Sequence, residues 1–115
     1  MRYKRSLRVQ ELLLEEISKL LIHGLKDPRI GFVTLTRVEL SDNLKHARVM
    51  VSIMGDIKQK EESLTGLNSA KGFIRGQLGR SLHLRYIPEL EFKIDKSAEH
   101  VEKITKILSE LHHEP

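Results

Sequence analysis

Residues 68–79, N-S-A-K-G-F-I-R-G-Q-L-G, combine a helical composition with three glycines, Gly72, Gly76 and Gly79, which we call the glycine stripe. A glycine inside a helix costs about 0.5–1 kcal/mol relative to alanine. The whole chain contains only seven glycines. Three of them in one helical segment indicate that this segment needs a bend, a bare surface, or both.

The geometry of a helix places the glycine stripe on one side of this segment. On a helical wheel, the stripe and His83 fall within about 60° of one another. Arg75 and Arg80 flank the stripe on opposite sides, while Ile74 and Leu78 point toward a core. Bare backbone edged with positive charge allows a phosphate backbone to approach closely. A second helix could pack against the same bare surface, and the sequence leaves both alternatives open.

The apolar positions change their helical register between Leu67 and Ile74. A kink at Gly72 would reconcile the two registers. It would also free the first N–H groups of the new helix, from Gly72 to about Arg75. Free N–H groups at the positive end of a helix dipole attract anions, and Lys71 stands beside them.

Length and composition indicate one domain of 115 residues with a net charge of +4 and no cysteine. The absence of cysteine excludes disulfides and thiolate metal sites. No apolar run is long enough to span a bilayer, and glutamates interrupt the apolar region that a signal peptide would need. We therefore expect a monomeric cytoplasmic protein that does not contact membranes.

Positive charge is concentrated in two segments that contain no acidic residue, residues 1–10 and 65–88. The first holds Arg2, Lys4, Arg5 and Arg8, and the second holds Lys71, Arg75, Arg80 and Arg85. This distribution suggests a polyanionic partner, although a merely solvated surface has the same pattern.

Hydrophobic periodicity predicts the element order α-β-β-α-α-β-α. Helices are predicted over residues 7–25, 58–70, from the kink to about 83, and 97–111, with strands over 32–40, 47–53 and 90–94. Asp56 is a candidate N-cap for the second helix. We expect an α+β domain of two layers, in which helices cover one face of a three-stranded sheet.

Three segments of the chain carry a family resemblance. D-P-R-I-G-F-V-T-L-T-R-V-E-L-S-D-N-L-K-H-A-R-V-M-V-S (27–52), S-A-K-G-F-I-R-G-Q-L-G (69–79) and L-R-Y-I-P-E-L-E-F-K-I-D-K-S (84–97) together resemble the ribosome-binding factor A family. The resemblance extends from Arg5 to Leu111. It implies a single KH-like RNA-binding domain of type II over residues 1–115, with a core at about 5–95 and a C-terminal helix at 97–111.

The resemblance also implies a function and a site. The family members are non-enzymatic factors that bind free 30S subunits, contact the 5′-terminal helix region of 16S ribosomal RNA, and assist its processing and late 30S maturation. The resemblance implies an Ala-x-Gly kink, here Ala70-Lys71-Gly72, in place of the Gly-x-x-Gly turn of other KH domains. The literal match Gly76-Gln77-Leu78-Gly79 is predicted to lie inside a helix. Candidate RNA contacts are the kink, the glycine stripe and the basic residues of both segments, with those of residues 1–10 contributing less.

The sequence shows no catalytic or metal-binding constellation among its six histidines and sixteen acidic residues. We expect no cofactor, no metal and no enzymatic activity. The few aromatic residues form no recognisable base-stacking set, so RNA recognition should depend on backbone and shape. The rival hypotheses are a protein-only adaptor that docks through its amphipathic last helix and an RNA-processing enzyme.

Overall fold

The computed structural model describes residues 2–23 and 25–97. In chain order they form α1 (Arg2–Ile22), β1 (Val33–Leu40), β2 (His46–Ile53), α2 (Ile57–Ser69), α3 (Lys71–Ser81) and β3 (Glu89–Ile94). The α+β class and the predicted element order are confirmed as far as β3. The helix predicted over 97–111 lies outside the described residues, apart from Ser97.

The sheet has the order β1-β2-β3. β1 and β2 form an antiparallel hairpin, and β2 pairs with β3 in parallel, which requires the crossover that α2 and α3 provide. The register between β1 and β2 shifts at Thr36, which forms a bulge. Because of this extra residue, Leu35 and Val38 lie on the same face of the sheet, opposite Val51 and Val49.

The helices pack against one face of the sheet, with α1 against β1 and with α2 and α3 against β3. Leu13 and Ile17 of α1 and the predicted core residues Ile74 and Leu78 of α3 are all buried in this interface. The core consists of Val9, Leu13, Ile17, Val38, Ala47, Val49, Val51, Ile53, Leu67, Ile74, Leu78, Leu82, Leu90 and Phe92. Each fully buried Leu, Ile or Phe side chain contributes about 1.5–3 kcal/mol, so this interface is the main source of stability.

The opposite face of the sheet, which we call the open face, carries exposed charged side chains. Arg37 Nε lies 2.9 Å from Glu39 Oε1, and Lys93 Nζ lies 3.6 Å from Glu91 Oε1. Exposed ion pairs of this kind contribute at most about 1 kcal/mol each. Their role is to keep this face hydrated rather than to hold the sheet together.

Asp95 connects the end of β3 to β1 across the open face. Its carboxylate is buried and accepts hydrogen bonds from the Thr36 hydroxyl at 2.7 Å and from the Ser97 N–H at 2.9 Å. The Asp95 N–H donates to the Val51 carbonyl at 2.8 Å. The chain therefore leaves the sheet in a position fixed by contacts to β1 and β2.

Two side-chain amides join helices to the outer strands of the sheet. Gln10 Oε1 in α1 accepts a hydrogen bond from the Leu40 N–H of β1 at 3.1 Å. Asn68 Oδ1 in α2 accepts one from the Phe92 N–H of β3 at 3.3 Å. These contacts supplement the apolar packing with directional bonds that fix where α1 and α2 lie along the strands.

The start of α2 is set by the predicted cap. Asp56 accepts a hydrogen bond from the Gln59 N–H, and Gln59 Oε1 accepts one from the Asp56 N–H, both at 2.8 Å. This reciprocal capping box satisfies two backbone donors. The prediction of Asp56 as N-cap is confirmed.

The loop between α1 and β1 is bound to the side of α2. Ser63 of α2 is buried, and its hydroxyl donates to the Arg29 carbonyl at 3.2 Å and accepts from the Gly31 N–H at 3.0 Å. Within the loop, the Arg29 side chain and then its backbone N–H donate to the Asp27 carboxylate, which lowers the pKa of Asp27 to about 2. The loop is thus ordered by its own ion pair and by one buried serine.

Gly66 makes this approach of the loop sterically possible, and its replacement tests the contact. An added Cβ at Gly66 would lie 2.7 Å from Ile30 Cγ1, so Gly66→Ala should destabilise the protein by about 1–3 kcal/mol through overpacking. Gly76→Ala in α3 is the matched control, since a Cβ there meets nothing within 4 Å. It should stabilise the protein by about 0.5–1 kcal/mol through helix preference. Urea unfolding measures both changes, and equal effects of the two substitutions would contradict the close contact.

Candidate RNA interface

A single residue, Ala70, separates α2 from α3. Its backbone angles are φ −87° and ψ 1°, and its N–H donates to the carbonyls of Gly66 and Leu67. The bend therefore lies at the first residue of the predicted Ala70-Lys71-Gly72 kink, and only the prediction that places it at Gly72 itself is wrong in position. The bend needs no left-handed residue, because these angles are accessible to alanine, and Gly72 is already inside α3.

The start of α3 nevertheless presents unpaired backbone donors. The first backbone hydrogen bond of α3 runs from the Ile74 N–H to the Ala70 carbonyl, at 2.9 Å. No side chain caps the start of the helix. A helix leaves the N–H groups of its first turn without intrahelical partners. The donor set therefore begins at Lys71, one residue earlier than the sequence predicted, and lies at the positive end of the helix dipole.

The glycine stripe is open at Gly72 and Gly76. An added Cβ at either position would meet nothing within 4 Å, whereas one at Gly79 would lie 3.8 Å from Ile87 Cγ1. Among the described residues, no atom approaches the Cβ positions of Gly72 and Gly76, so a helix packed on this surface would have to come from outside the described part of the chain. The Gly76–Gly79 match lies inside α3, as predicted.

Arg75 has contacts within the protein. Its Nε donates to the Pro88 carbonyl at 3.0 Å, its Nη2 donates to the Ile87 carbonyl at 2.9 Å, and its Nη1 lies 3.3 Å from Glu89 Oε1. The guanidinium therefore holds the segment before β3 against α3. Contact between Arg75 and phosphate stays a prediction. It would require the N–H groups that donate to Ile87 and Pro88 to donate to a phosphate as well.

The other basic side chains in residues 65–88 differ in their exposure. Lys71 is half-buried at the start of α3, Arg80 is exposed in its last turn, and Arg85 is exposed in the loop that follows. Arg80 lies beside the glycine stripe on the helical wheel, whereas Lys71 lines a surface cavity of about 540 Å³ together with Glu39 and Glu89 of the sheet. Their contact with RNA is likewise a prediction.

The two basic segments approach the same end of the molecule, on either side of the β1–β2 turn. Arg5 lines a surface cavity of about 390 Å³ with the turn residues Asp42, Asn43 and Leu44. Lys45, from the same turn, has its Nζ 5.9 Å from the centroid of the Tyr86 ring, which follows Arg85 in sequence. Of the remaining N-terminal residues, Arg8 is exposed, and the side chains of Arg2 and Lys4 lie outside the described part of the structure.

Sequence reasoning missed the exposure of three aromatic side chains. Phe32, Phe73 and Tyr86 are 82%, 58% and 64% exposed. Phe73 borders a surface cavity of about 560 Å³ together with Leu25 and Ala70, beside the start of α3. The three rings lie in different loops and helices and form no common stacking surface, but the wheel could have identified Phe73, which points away from Ile74 and Leu78.

Within residues 2–23 and 25–97, no group of three or more His, Cys, Asp and Glu side chains is arranged to hold a metal ion. None of the helices in that part of the chain is both long enough and apolar enough to cross a membrane.

Comparison with known proteins gives a consistent result. Residues 5–108 match the family model for ribosome-binding factor A. Ribosome-binding factor A of Geobacter metallireducens is 49% identical over 109 residues, which cover 95% of this chain and 92% of the Geobacter protein.

Solved structures agree with the sequence matches. The crystal structure of ribosome-binding factor A from Thermus thermophilus superposes with a TM-score of 0.67 at 26% identity, covering 77% of this chain and 94% of the Thermus chain. A Thermus thermophilus homology model fitted into a cryo-electron microscopy map of a 30S–ribosome-binding factor A complex gives a TM-score of 0.58 at 27% identity, covering 80% and 92%. The predicted KH-like fold is thereby confirmed.

The contacts of Arg75 lead to a stability prediction. Arg75→Gln should lower the free energy of unfolding by about 1.5–3 kcal/mol, the range for hydrogen bonds to charged groups. Arg80→Gln removes the same charge from an exposed position of the same helix and should change stability by no more than about 0.5 kcal/mol. Urea unfolding of the two variants makes the comparison. If Arg75→Gln is as stable as Arg80→Gln, the Arg75 contacts to the loop contribute nothing.

Proposed function

The chain belongs to the ribosome-binding factor A family, and we propose that it is a non-enzymatic assembly factor of the small ribosomal subunit. In this proposal it binds free 30S subunits in the cytoplasm as a monomer and contacts the 5′-terminal helix region of 16S ribosomal RNA. It assists processing of the 16S precursor and late 30S maturation. The Thermus factor fitted into a map of its 30S complex supports the first part of this proposal.

The observation that carries the proposal is the exposed backbone of α3 at Gly72 and Gly76. A phosphate group can approach the helix there without meeting a side chain. The unpaired N–H groups at the start of α3 lie at one end of this surface, and such groups bind anions. Arg80 adds positive charge beside this surface and Lys71 adds it at the start of α3, which favours a polyanion over a neutral partner.

The mechanism we propose is a shift of population. A protein that binds the immature 16S conformation more tightly than competing folds raises the fraction of that conformation. It can change the equilibrium only by as much as its affinities for the two states differ. No bond is made or broken in this step, so it requires no catalytic residue.

The end of the molecule near the β1–β2 turn provides a second, weaker contact in this proposal. Arg5, Lys45 and Arg85 bring positive charge from three separate segments to that end. Charges placed this way mainly accelerate encounter with RNA, and salt screens them within about 10 Å at 0.1 M ionic strength. They orient the protein while the glycine stripe makes the closer contact.

Covering the glycine stripe with a side chain tests whether the exposed backbone of α3 contacts the 30S subunit. A Cβ at Gly76 would meet nothing within 4 Å. Gly76→Leu should therefore cover the bare backbone without disturbing α3, and it should weaken binding to free 30S subunits about tenfold, equivalent to about 1.4 kcal/mol. Thr65→Leu places the same side chain at an exposed position of α2 and should leave the affinity unchanged. Filter binding or fluorescence anisotropy measures both. Equal affinities for the two variants would refute the proposed contact surface.

The charges beside the stripe make a separate prediction on salt dependence. Lys71→Gln and Arg80→Gln should each flatten the slope of log affinity against log salt by about 0.7–0.9. Arg75 is omitted because its replacement is expected to destabilise the protein. Unchanged slopes for both variants would leave the protein-only adaptor as the better hypothesis, since protein contacts release fewer counterions.

The cellular prediction follows from the slow rearrangement of RNA in the cold, where barriers of stacking and pairing are crossed less often. Deletion of the gene should slow growth more at low than at high temperature, and free 30S subunits with untrimmed 16S precursor should accumulate. Sucrose gradients with primer extension at the 16S 5′ end, at two temperatures, measure this. A chain carrying Lys71→Gln and Arg80→Gln should fail to restore maturation. Normal subunit ratios and a mature 5′ end in the cold would contradict the assembly-factor proposal.

A further inference from the structure

An exposed phenylalanine forms one wall of a surface cavity at the joint between α2 and α3. The Phe73 side chain is 58% exposed, and the cavity has a volume of about 560 Å³. We call this cavity the Phe73 pocket. Leu25 and Ala70 contribute further apolar lining. Pockets of about 300–1,000 Å³ hold ligands of drug or nucleotide size, so the Phe73 pocket is large enough for one flat ring and its sugar.

The Phe73 pocket lies on the side of the two helices that faces away from β3. In α2, Gly66 contacts the loop before β1 and Asn68 contacts β3, and the two positions are about 160° apart on a helical wheel. In α3, Arg75 contacts the segment before β3, and Phe73 lies about 160° from it on the wheel. The pocket is therefore separate from the surface that α2 and α3 share with β3.

The rim of the pocket carries an excess of positive charge. Among the described residues, Lys26 and Arg29 line it with one carboxylate, that of Asp27. Arg29 Nη2 lies 2.6 Å from Asp27 Oδ2, so this carboxylate is already paired with a cation. Lys26 is exposed and forms no ion pair within the part of the chain that the structure describes. An apolar wall with a basic rim suits a neutral base attached to an anionic backbone.

The pocket is continuous with the surface on which we propose that phosphate lies. Phe73 and Gly76 are three positions apart in α3, and such positions are about 5–6 Å apart on one side of a helix. Arg80 lies two turns further along the same side, about 20° from Phe73 on the wheel. A nucleotide whose phosphate lies over the bare backbone of Gly76 therefore has its base within reach of the Phe73 ring.

An exposed aromatic ring in such a position binds an unpaired base by stacking. Single-stranded RNA is commonly recognised through bases that are splayed out onto aromatic side chains, and each stacked base contributes substantially to affinity. An aliphatic side chain of a protein partner would also fit the apolar wall, but it would leave the basic rim without a partner. The Ser69 hydroxyl, which lines the same pocket, can donate or accept a hydrogen bond at the edge of a base.

We propose that the Phe73 pocket holds one unpaired base of 16S ribosomal RNA, stacked on the Phe73 ring, while the phosphate of the same nucleotide lies over Gly76. This inference rests on the proposed binding to 30S subunits and adds a contact with a base to it. Recognition then includes a nucleobase in addition to the backbone and shape of the RNA.

Three substitutions separate stacking from simple apolar contact. Phe73→Leu keeps an apolar side chain but removes the ring, so it should weaken binding to free 30S subunits about tenfold. Phe73→Trp keeps a flat aromatic ring and should bind as tightly as wild type. Phe32→Leu makes the first change at an exposed phenylalanine outside the pocket and should leave the affinity unchanged. Filter binding measures the affinities, and urea unfolding should give the same midpoint for all three variants because both positions are exposed.

The salt dependence of binding distinguishes a lost base contact from a lost phosphate contact. Phe73→Leu should keep the wild-type slope of log affinity against log salt, because an uncharged ring releases no counterions, whereas Arg80→Gln should flatten it. Wild-type affinity of Phe73→Leu, or an equal loss in Phe73→Trp, would reject the stacking and leave 30S binding intact. Failure of the wild-type chain itself to bind 30S subunits would instead reject the proposed function, and the base contact with it.

Photo-cross-linking identifies the occupant of the pocket directly. The photoreactive amino acid p-benzoylphenylalanine replaces Phe73 in one chain and Phe32 in a control chain, and each chain is irradiated in complex with free 30S subunits. We expect position 73 to cross-link to 16S ribosomal RNA at one unpaired nucleotide, located by primer extension, and position 32 not to reach that nucleotide. Cross-links from position 73 to ribosomal protein alone, or none in a complex that still forms, would overturn the proposal.

Discussion

The direction of α3 follows from how α2 is held before the chain reaches Ala70. The Asp56–Gln59 capping box fixes where α2 begins, and Ser63 and Gly66 fix its side against the loop at residues 27–31. Only one residue is then available before α3 starts, and its backbone angles are ordinary. With so short a connection, the orientation of α3 and the outward position of its glycines are consequences of the packing of α2.

Positive charge in residues 65–88 serves two different purposes, and composition alone does not distinguish them. Arg75 and Arg80 are five positions apart in one helix, yet the first binds two backbone carbonyls and a glutamate whereas the second is exposed. Arginine suits the first task because its planar group donates in several directions at once. A lysine with one charged centre could not make the same set of contacts.

Features that depend on local chemistry were predictable from the sequence. The inward positions of Ile74 and Leu78 in α3, the three strands and the Asp56 cap all rest on neighbours within a few positions in the chain. The position of Gly-x-x-Gly inside a helix was also predictable, because the apolar positions Ile74 and Leu78 continue through it.

Features that depend on distant segments were not predictable in this way. The need for glycine at position 66 arises from Ile30, which approaches α2 only after the chain has folded. The partners of Arg75 lie beyond the end of its helix, in a loop without regular structure. The change of apolar register between Leu67 and Ile74 predicts a kink at Gly72, whereas the backbone bends at Ala70 without a left-handed residue.

The contacts of Gln10 and Asn68 have a consequence for the solubility of the sheet. A three-stranded sheet has two edges, and an unpaired edge is a template on which a strand from another molecule can add. Each amide occupies an outward N–H, on Leu40 at one edge and on Phe92 at the other. The bulge at Thr36 further interrupts the regular spacing of donors and acceptors along β1. Side chains that fix the helices thereby also protect both edges against intermolecular strand pairing, so one set of hydrogen bonds favours both correct folding and resistance to aggregation.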